Sequence, residues 1–286
     1  MIKKSLILLS FLLIASCQNF GQLKVLASLP DILEEVSGVQ KIKNSDLLWM
    51  LNDSGNAPVI YGVDTKGNII REVVVNAKNH DWEDLTSDDE GNLYIADFGN
   101  NGNKRKNLKI LKIKNEDLLN NDEVDVEKIK FSYPNQEKFP PKKKKRFFDA
   151  ESLLYKDGSL YIFTKSRVKG NYGETSLYKI PAVKGRYTAK YVSSFEACSD
   201  FHCWITSAAI SPDGKKVVLL NHQSVYVFTN FTGDNFMSGD VKELPLGHVS
   251  QKESVAFKDN NTLFIADERD HLEGGMLYEF SLNKAQ

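Results

Sequence analysis

The sequence predicts an all-β fold, and three observations together make it a β-propeller of five four-stranded blades. A short acidic-Gly or acidic-Asn turn followed by an apolar run recurs as DDEGNLYIAD (88–97), KDGSLYIFTK (156–165), PDGKKVVLLN (212–221) and KDNNTLFIAD (258–267), with LLWMLND (47–53) as a fifth unit. A period-two run precedes each turn and another follows it, which is hairpin chemistry. No helical stretch of length interrupts the series, and repeats at spacings of tens of residues that alternate in this way read as propeller blades.

In chain order, the first blade is assembled from SGVQKI (37–42), LLWMLND, VIYGVD (59–64) and an outer strand NIIREVVV (68–75). The second takes EDLTSD (83–88), the 88–97 unit, LKILKI (108–113) and VEKIKFSY (126–133). The third takes ESLLYK (151–156), the 156–165 unit, SLYKIP (176–181) and RYTAKYVSSF (186–195). TSAAIS (206–211), the 212–221 unit, SVYVFT (224–229) and DVKELPL (240–246) form the fourth. The fifth, from ESVAFK (253–258) to MLYEFS (276–281), runs out after three strands, while LKVLASLP (23–30) stands unattached near the N-terminus. Supplying the missing outer strand from that segment closes the ring and protects both sheet edges. The interval between Glu83 and Glu151 is the longest between equivalent positions. It could hide part of a sixth blade, the alternative count, but it falls short of two ordinary repeats and is read as an insertion around 114–147. That insertion ends in FPPKKKKRFFD, whose basic run Lys142 to Arg146 is a solvated loop or a contact for anionic headgroups.

The chain has 286 residues, a net charge of -1, 41% hydrophobic and 26% charged residues. This is the profile of one ordinary globular domain, here 22–286, and it suggests no nucleic-acid partner. The N-terminus departs from it. MIKK is a basic n-region and SLILLSFLLIA an apolar run too short to be a convincing spanning helix. The run ends at Ile14-Ala15-Ser16-Cys17, which resembles a bacterial lipoprotein lipobox. The resemblance implies a signal peptide over 1–16 and an acylated Cys17 at the head of a short linker, 17–21. The lipid would then be the anchor. A general secretory signal with Cys17 left free is the alternative, and either exports the chain. Gln18 in place of an acidic residue favours the outer membrane. Cys198 and Cys203 remain in ACSDFHC, an even pair in an oxidising compartment, which suggests a local disulfide. Free thiols, or a metal site with His202, are the rivals, the latter short of the four ligands that zinc requires.

Candidate chemistry lies where the repeat converges. First strands line a propeller's channel, so Ser37, Glu83, Glu151, Thr206 and Glu253 are expected near the axis. Second strands end at the same mouth with Asn52 and Asp53, Asp97 followed by Gly99-Asn100-Asn101, Thr164 and Lys165, Asn221 and His222, and Asp267-Glu268-Arg269. Carboxylates crowded together raise one another's pKa unless something positive joins them. Calcium, held by Glu83, Glu151, Asn221 and Asp267 among the available oxygens, is one solution. Internal salt bridges through Lys165 and Arg269 are another, and separate solvated carboxylates a third. An EF-hand frame on Gly91 places Asp88, Glu90 and Asp97 at ligand positions, but the first ligand becomes Thr86 and the flanks read as strands. Of the five histidines, His222 is the best placed for chemistry. GxSxG, HExxH and phosphate-loop patterns do not occur.

The stretches VSGVQ, LLWMLNDSGNAPVIYGVDTKGNI, DWEDLTSDDEGNLYIADFGNN, DAESLLYKDGSLYIFTKSR and QKESVAF resemble the β-propeller domains of the SdiA-regulated type. A more distant likeness connects the chain with calcium-dependent propellers of the gluconolactonase and paraoxonase kind. That likeness implies calcium on Glu83, Glu151, Asn221 and Asp267, with Thr206 breaking the acidic series and no histidine assignable as catalytic. Two functions are therefore expected. One is a lipid-anchored envelope module that binds a small ligand or an envelope protein through its channel mouth. The alternative is a calcium-dependent hydrolase of esters or lactones.

Overall fold

The computed structural model describes residues 19–270 and 273–283. Cys17 and the leader lie outside the described residues, so the lipobox expectation has no structural counterpart here. Five sheets form a ring, each with four blade strands in antiparallel order from the axis outward. Blade 1 holds Val36–Lys41, Leu48–Asn52, Val59–Val63 and Ile69–Val75. Blade 2 holds Trp82–Ser87, Leu93–Asp97, Lys109–Ile113 and Glu127–Ser132. Blade 3 holds Asp149–Lys156, Ser159–Lys165, Glu174–Pro181 and Lys190–Glu196. Blade 4 holds Ser207–Ile210, Val217–Leu220, Ser224–Thr229 and Asp240–Pro245. Blade 5 holds Lys252–Asp259, Thr262–Asp267 and Met276–Ser281. Its fourth strand is Lys24–Ser28, antiparallel to Met276–Ser281 with Lys24 opposite Glu279.

Because every inner strand is buried on both faces, each blade interface holds its own hydrophobic cluster. Trp49, Leu51, Trp82 and Ile95 pack between blades 1 and 2. Tyr94, Ile110, Leu153 and Tyr178 fill the gap between 2 and 3, and Phe163, Leu177, Leu219 and Phe228 that between 3 and 4. Val218, Leu220, Val255 and Ile265 join 4 to 5, and Leu29, Val36, Met50 and Phe264 join 5 to 1. The ring is thus held by five apolar seams rather than one central core.

The turns behave as hairpin turns. Asp88 accepts hydrogen bonds from the Glu90 and Asn92 backbone N–H groups, from Asn92 Nδ2 and from Tyr94 OH, and Gly91 takes φ +87°, a conformation L side chains avoid. Its oxygens are spent on the turn, so the EF-hand frame has no ligand there. The Glu83 to Glu151 interval contains no sixth blade. A short helix, Asn115–Asn120, leads into Glu123–Val124, which adds a parallel fifth strand to the outer edge of blade 1. RYTAKYVSSF does not form one outer strand as its alternation suggests. Gly185–Thr188 crosses to blade 2 and pairs in parallel with Ile129–Ser132, and only Lys190–Glu196 closes blade 3. Covering exposed edges in this way blocks edge-to-edge association. Lys142 to Lys145 are exposed. Among the described residues no helix is long and apolar enough to cross a membrane.

Candidate functional site

The first strands carry a local irregularity that aims the site. In blades 1, 3 and 5 the pairing skips one residue near the start of the first strand: Ser37, Glu151 and Glu253. In blade 2 the skip covers Glu83 and Asp84. A β-bulge leaves its extra residue outside the ladder and turns its side chain away from the regular alternation. Ser37, Glu83, Glu151 and Glu253 line a cavity of about 150 Å³ at one mouth, together with Asp53, Asn101, Lys165, Arg167, Gln251 and Glu268. Blade 4 has no such skip. Thr206 precedes its first strand and donates to the Lys252 carbonyl at 2.6 Å, so it is a tie between blades and not a wall of the pit.

Below the pit the axis is closed. Asp84 is fully buried, and its carboxylate accepts from the Leu153 N–H of blade 3 at 2.9 Å and from Ser207 Oγ of blade 4 at 3.3 Å. Ser207 Oγ in turn accepts from the Val255 N–H of blade 5 at 3.1 Å. Blade 1 approaches through Gly38, where an added Cβ would stand 3.0 Å from Leu85 N. Burial pushes the Asp84 carboxyl well above its ordinary range against these hydrogen bonds.

The pit is divided electrostatically. On one side Glu151 is held by Lys165 Nζ at 3.0 Å and by Arg167 Nη2 at 3.2 Å, while Arg167 Nε reaches Asp149 at 2.5 Å. Although burial alone would lower the pKa values of Lys165 and Arg167, Glu151 and Glu253 raise that of Lys165, and Asp149 and Glu151 that of Arg167. Burial and the Glu151 charge still push Asp149 up to about 7. Glu253 sits at 3.3 Å from His222 Nε2. Burial works to raise its pKa, but Lys165 and His222 prevail and it lies below the ordinary value.

On the other side the carboxylates lack such partners. Asp53, Asp81 and Glu83 place one oxygen each within 4.8 Å of one another. Asp81 has a long contact to Arg105, 3.8 Å, and a hydrogen bond to the Ser54 side chain. Glu83 is 6% exposed. It has no hydrogen bond or ion pair among the described residues. Gly99 makes this arrangement possible, because any Cβ there would overlap Glu83 Oε1 and the Asp81 carboxyl. Burial, then Glu151 and Asp53, push Glu83 well above its usual pKa. Burial first and neighbouring charge second take Asp53 to about 6 and Glu268 to about 9. A corner of three hard oxygen donors with spacing that one cation can span fits a divalent ion or an ammonium group.

Several residues placed at the mouth by strand counting are engaged elsewhere. Asp97 is fully buried against Arg105 at 2.7 Å, Lys109 and His80. The Asn221 side-chain oxygen accepts from the Gln223 and Ser224 N–H groups, a turn role. Asp267 accepts from Ser250 Oγ, Tyr278 OH and the Met276 N–H, all within its own blade or its connections. Asn52 donates to the Ile32 carbonyl at 2.6 Å, and Arg269 binds Asp31 and the Leu29 carbonyl, tying the N-terminal strand into blade 5. The tetrad Glu83, Glu151, Asn221 and Asp267 is therefore not one ligand set: only Glu83 and Glu151 line the pit. The bulge re-aims the first-strand acids, whereas Asn221 and Asp267 are taken up by hydrogen bonds within their own blades and connections.

Beside the pit lies a second pocket of about 420 Å³, walled by Phe201, His202, Trp204, His222, Val249 and Ser250, and sharing Gln251 and Glu268 with it. Cys198 and Cys203 form a disulfide, Cα–Cα 5.5 Å, that cinches the loop carrying Phe201 and His202. Glu268 was among the strand-terminal polar residues, whereas Arg167, Gln251 and Trp204 were not. Arg167 could have been found as the second cation of KSR, two residues beyond Lys165.

No protein-family model matches the chain, and no curated protein matches it. Among solved structures it is similar to a gluconolactonase from Xanthomonas campestris, at 12% identity and TM-score 0.49 over 91% of this chain and 89% of that one. It is similar also to virginiamycin B lyase from Staphylococcus aureus, at 15% identity and TM-score 0.43 over 89% and 68%. A chain of a nidogen/laminin complex gives 10% identity and TM-score 0.46 over 81% and 72%.

Proposed function

We propose that this chain is an extracytoplasmic binding module, held at the envelope by a lipid on Cys17, that takes a small positively charged ligand at the acidic mouth of its propeller. The observation that carries the reading is Glu83: a carboxylate 6% exposed, without a hydrogen bond or ion pair among the described residues, in a space that only a glycine at position 99 leaves open. Leaving a buried charge unpaired is costly, and a ligand cation would offset that cost. The pit as a whole lines five carboxylates against two cations, Lys165 and Arg167, both already engaged.

The test is thermal unfolding of chelator-treated protein in graded calcium, magnesium and ethylammonium chloride. A ligand that binds only the folded state raises the melting temperature by mass action. The rise is expected in the parent and is largely lost in Glu83→Gln. Melting temperatures indifferent to every cation in both proteins would refute the reading. The address is tested separately, since Cys17→Ala should move the protein to the soluble fraction. Gln18 after the cysteine favours the outer membrane.

One observation favours the hydrolase as a second reading. The Asp53, Asp81 and Glu83 oxygens suit calcium, which would polarise a substrate carbonyl from that corner. His222, oriented by Glu253, stands at the boundary with the larger pocket. Calcium-dependent turnover of aryl esters or lactones that Glu83→Gln abolishes would favour this reading over simple binding.

A further inference from the structure

We infer that the ligand is an organic ammonium joined to a flat apolar body, its charge in the corner made by Asp53, Asp81 and Glu83 and its body against Phe201, Trp204 and Val249. This rests on the reading of the pit as a cation site and adds the chemistry of what the cation is attached to. A bare metal ion would need the pit alone. The pit, however, continues through Gln251 and Glu268 into the larger pocket, which adds Phe201, Trp204 and Val249 to a lining that also holds Asp270 and Glu273. Phe201 and Val249 are 51% and 53% exposed, large apolar side chains set in an otherwise acidic mouth. Exposed apolar surface of this kind, continuous with a polar recess, is what a ligand with two chemically different ends requires.

The apolar wall is also held in advance of any ligand. The Cys198–Cys203 disulfide spans the loop, and Asp200 accepts from the His202 N–H at 2.9 Å at the start of its single turn. Trp204 Nε1 donates to the Ser166 carbonyl at 2.6 Å, and its ring meets Tyr172 edge to face at 5.2 Å. Lys165 Nζ and the Arg167 guanidinium lie 5.2 Å and 4.9 Å from the same ring. The cations that neutralise Glu151 therefore also fix the indole, so the charged and apolar halves of the site are built on shared residues. Such preorganisation lowers the ordering cost of binding. An ammonium group brings three donors for the three carboxylates.

Trp204 supplies the readout. Trp49 and Trp82 are fully buried in a seam between blades, so a ligand-dependent change in tryptophan emission reports on the mouth. The probes are 2-phenylethylamine, ethylamine and 2-phenylethanol, titrated by fluorescence and by calorimetry. The aryl amine is expected to bind about tenfold or more tightly than either partial probe, as burial of one ring implies. Phe201→Ala should weaken the aryl amine about threefold or more and leave ethylamine unchanged. Glu83→Gln should weaken both amines. Equal affinities for the two amines, or an aryl alcohol that binds as well as the aryl amine, would overturn the inference. If ethylamine and calcium bind but the ring adds nothing, the cation site stands and the amphiphile falls. If no cation binds and Glu83→Gln changes nothing, the underlying reading fails as well.

Discussion

Replacing Asp53 with Asn should stabilise the metal-free protein at neutral and alkaline pH, the reverse of the usual effect of removing a buried hydrogen-bonding group. Burial first, opposed by the Ser54 N–H, and then Asp81 and Glu253 take this carboxyl from 3.8 to about 6. The folded protein thus binds the proton more tightly than the unfolded chain. A raised carboxyl gives its full contribution below the unfolded value and loses it as pH rises through the folded value, here between about pH 4 and 6. At ~1.4 kcal/mol per pH unit the loss amounts to about 3 kcal/mol by pH 7. Asn keeps an acceptor for Ser54 and never ionises, so the variant escapes that loss. For a domain of this size the gain corresponds to roughly 5–10 °C in melting temperature. Urea denaturation of both proteins in chelator at half-unit steps from pH 4 to pH 8 checks it. The two curves should converge near pH 4 and separate through pH 6. Parallel curves, or a variant less stable at pH 8, would refute the claim that Asp53 is ionised there at a cost.

The paired side of the pit should respond in the opposite sense. Glu151→Gln strands Lys165 and Arg167, and urea denaturation at pH 7 should show a loss of about 2–4 kcal/mol. No loss would mean that Asp149 and Glu253 suffice to hold both cations. Removing residues 22–30 takes away the outer strand of blade 5 and exposes the seam around buried Leu23 and Leu29, at about 2 kcal/mol or more for each side chain. One cooperative transition, shifted down by roughly 10 °C or more, is expected in calorimetry, and an unshifted midpoint would refute closure by that strand. Cys198→Ser with Cys203→Ser should cost about 2 kcal/mol or less, since the closed loop is short. A larger loss in blade 4 stability by hydrogen exchange would show that the loop supports the ring itself.

The architecture was legible because each blade repeats the same turn chemistry and the same alternation. The missing twelfth-hour strand could be placed because a three-stranded last repeat and an unattached apolar run at the other end imply one another. The site was half legible. Glu83, Glu151 and Glu253 were found as equivalent positions, but no residue type marks the bulges that turn them toward the axis. Strand counting therefore assigned Asp97, Asn221 and Asp267 to the same mouth, where the structure spends them on salt bridges, a turn and a tyrosine hydroxyl. RYTAKYVSSF misled for a related reason. Alternation states which face of a strand is buried but not which sheet it joins, and Ala189 lies at the break between two sheets. Trp204 and Gln251 sit on connections with no periodic signal at all.

The closure of the axis by Asp84 and Ser207 makes the acidic mouth a cul-de-sac. Water displaced from the pit has to leave past whatever is arriving, and a bound ligand can depart only by the route it took in. A long polymer cannot thread such a propeller; it can present no more than an end or a side branch. Release from a blind recess is governed by how firmly the rim holds, so the half-life of the complex should follow changes at Phe201 and Trp204 more closely than changes on the far side of the ring. That far mouth, where Gln40, Tyr155 and Phe257 surround a separate hollow of about 370 Å³, is left free to meet something else at the same time.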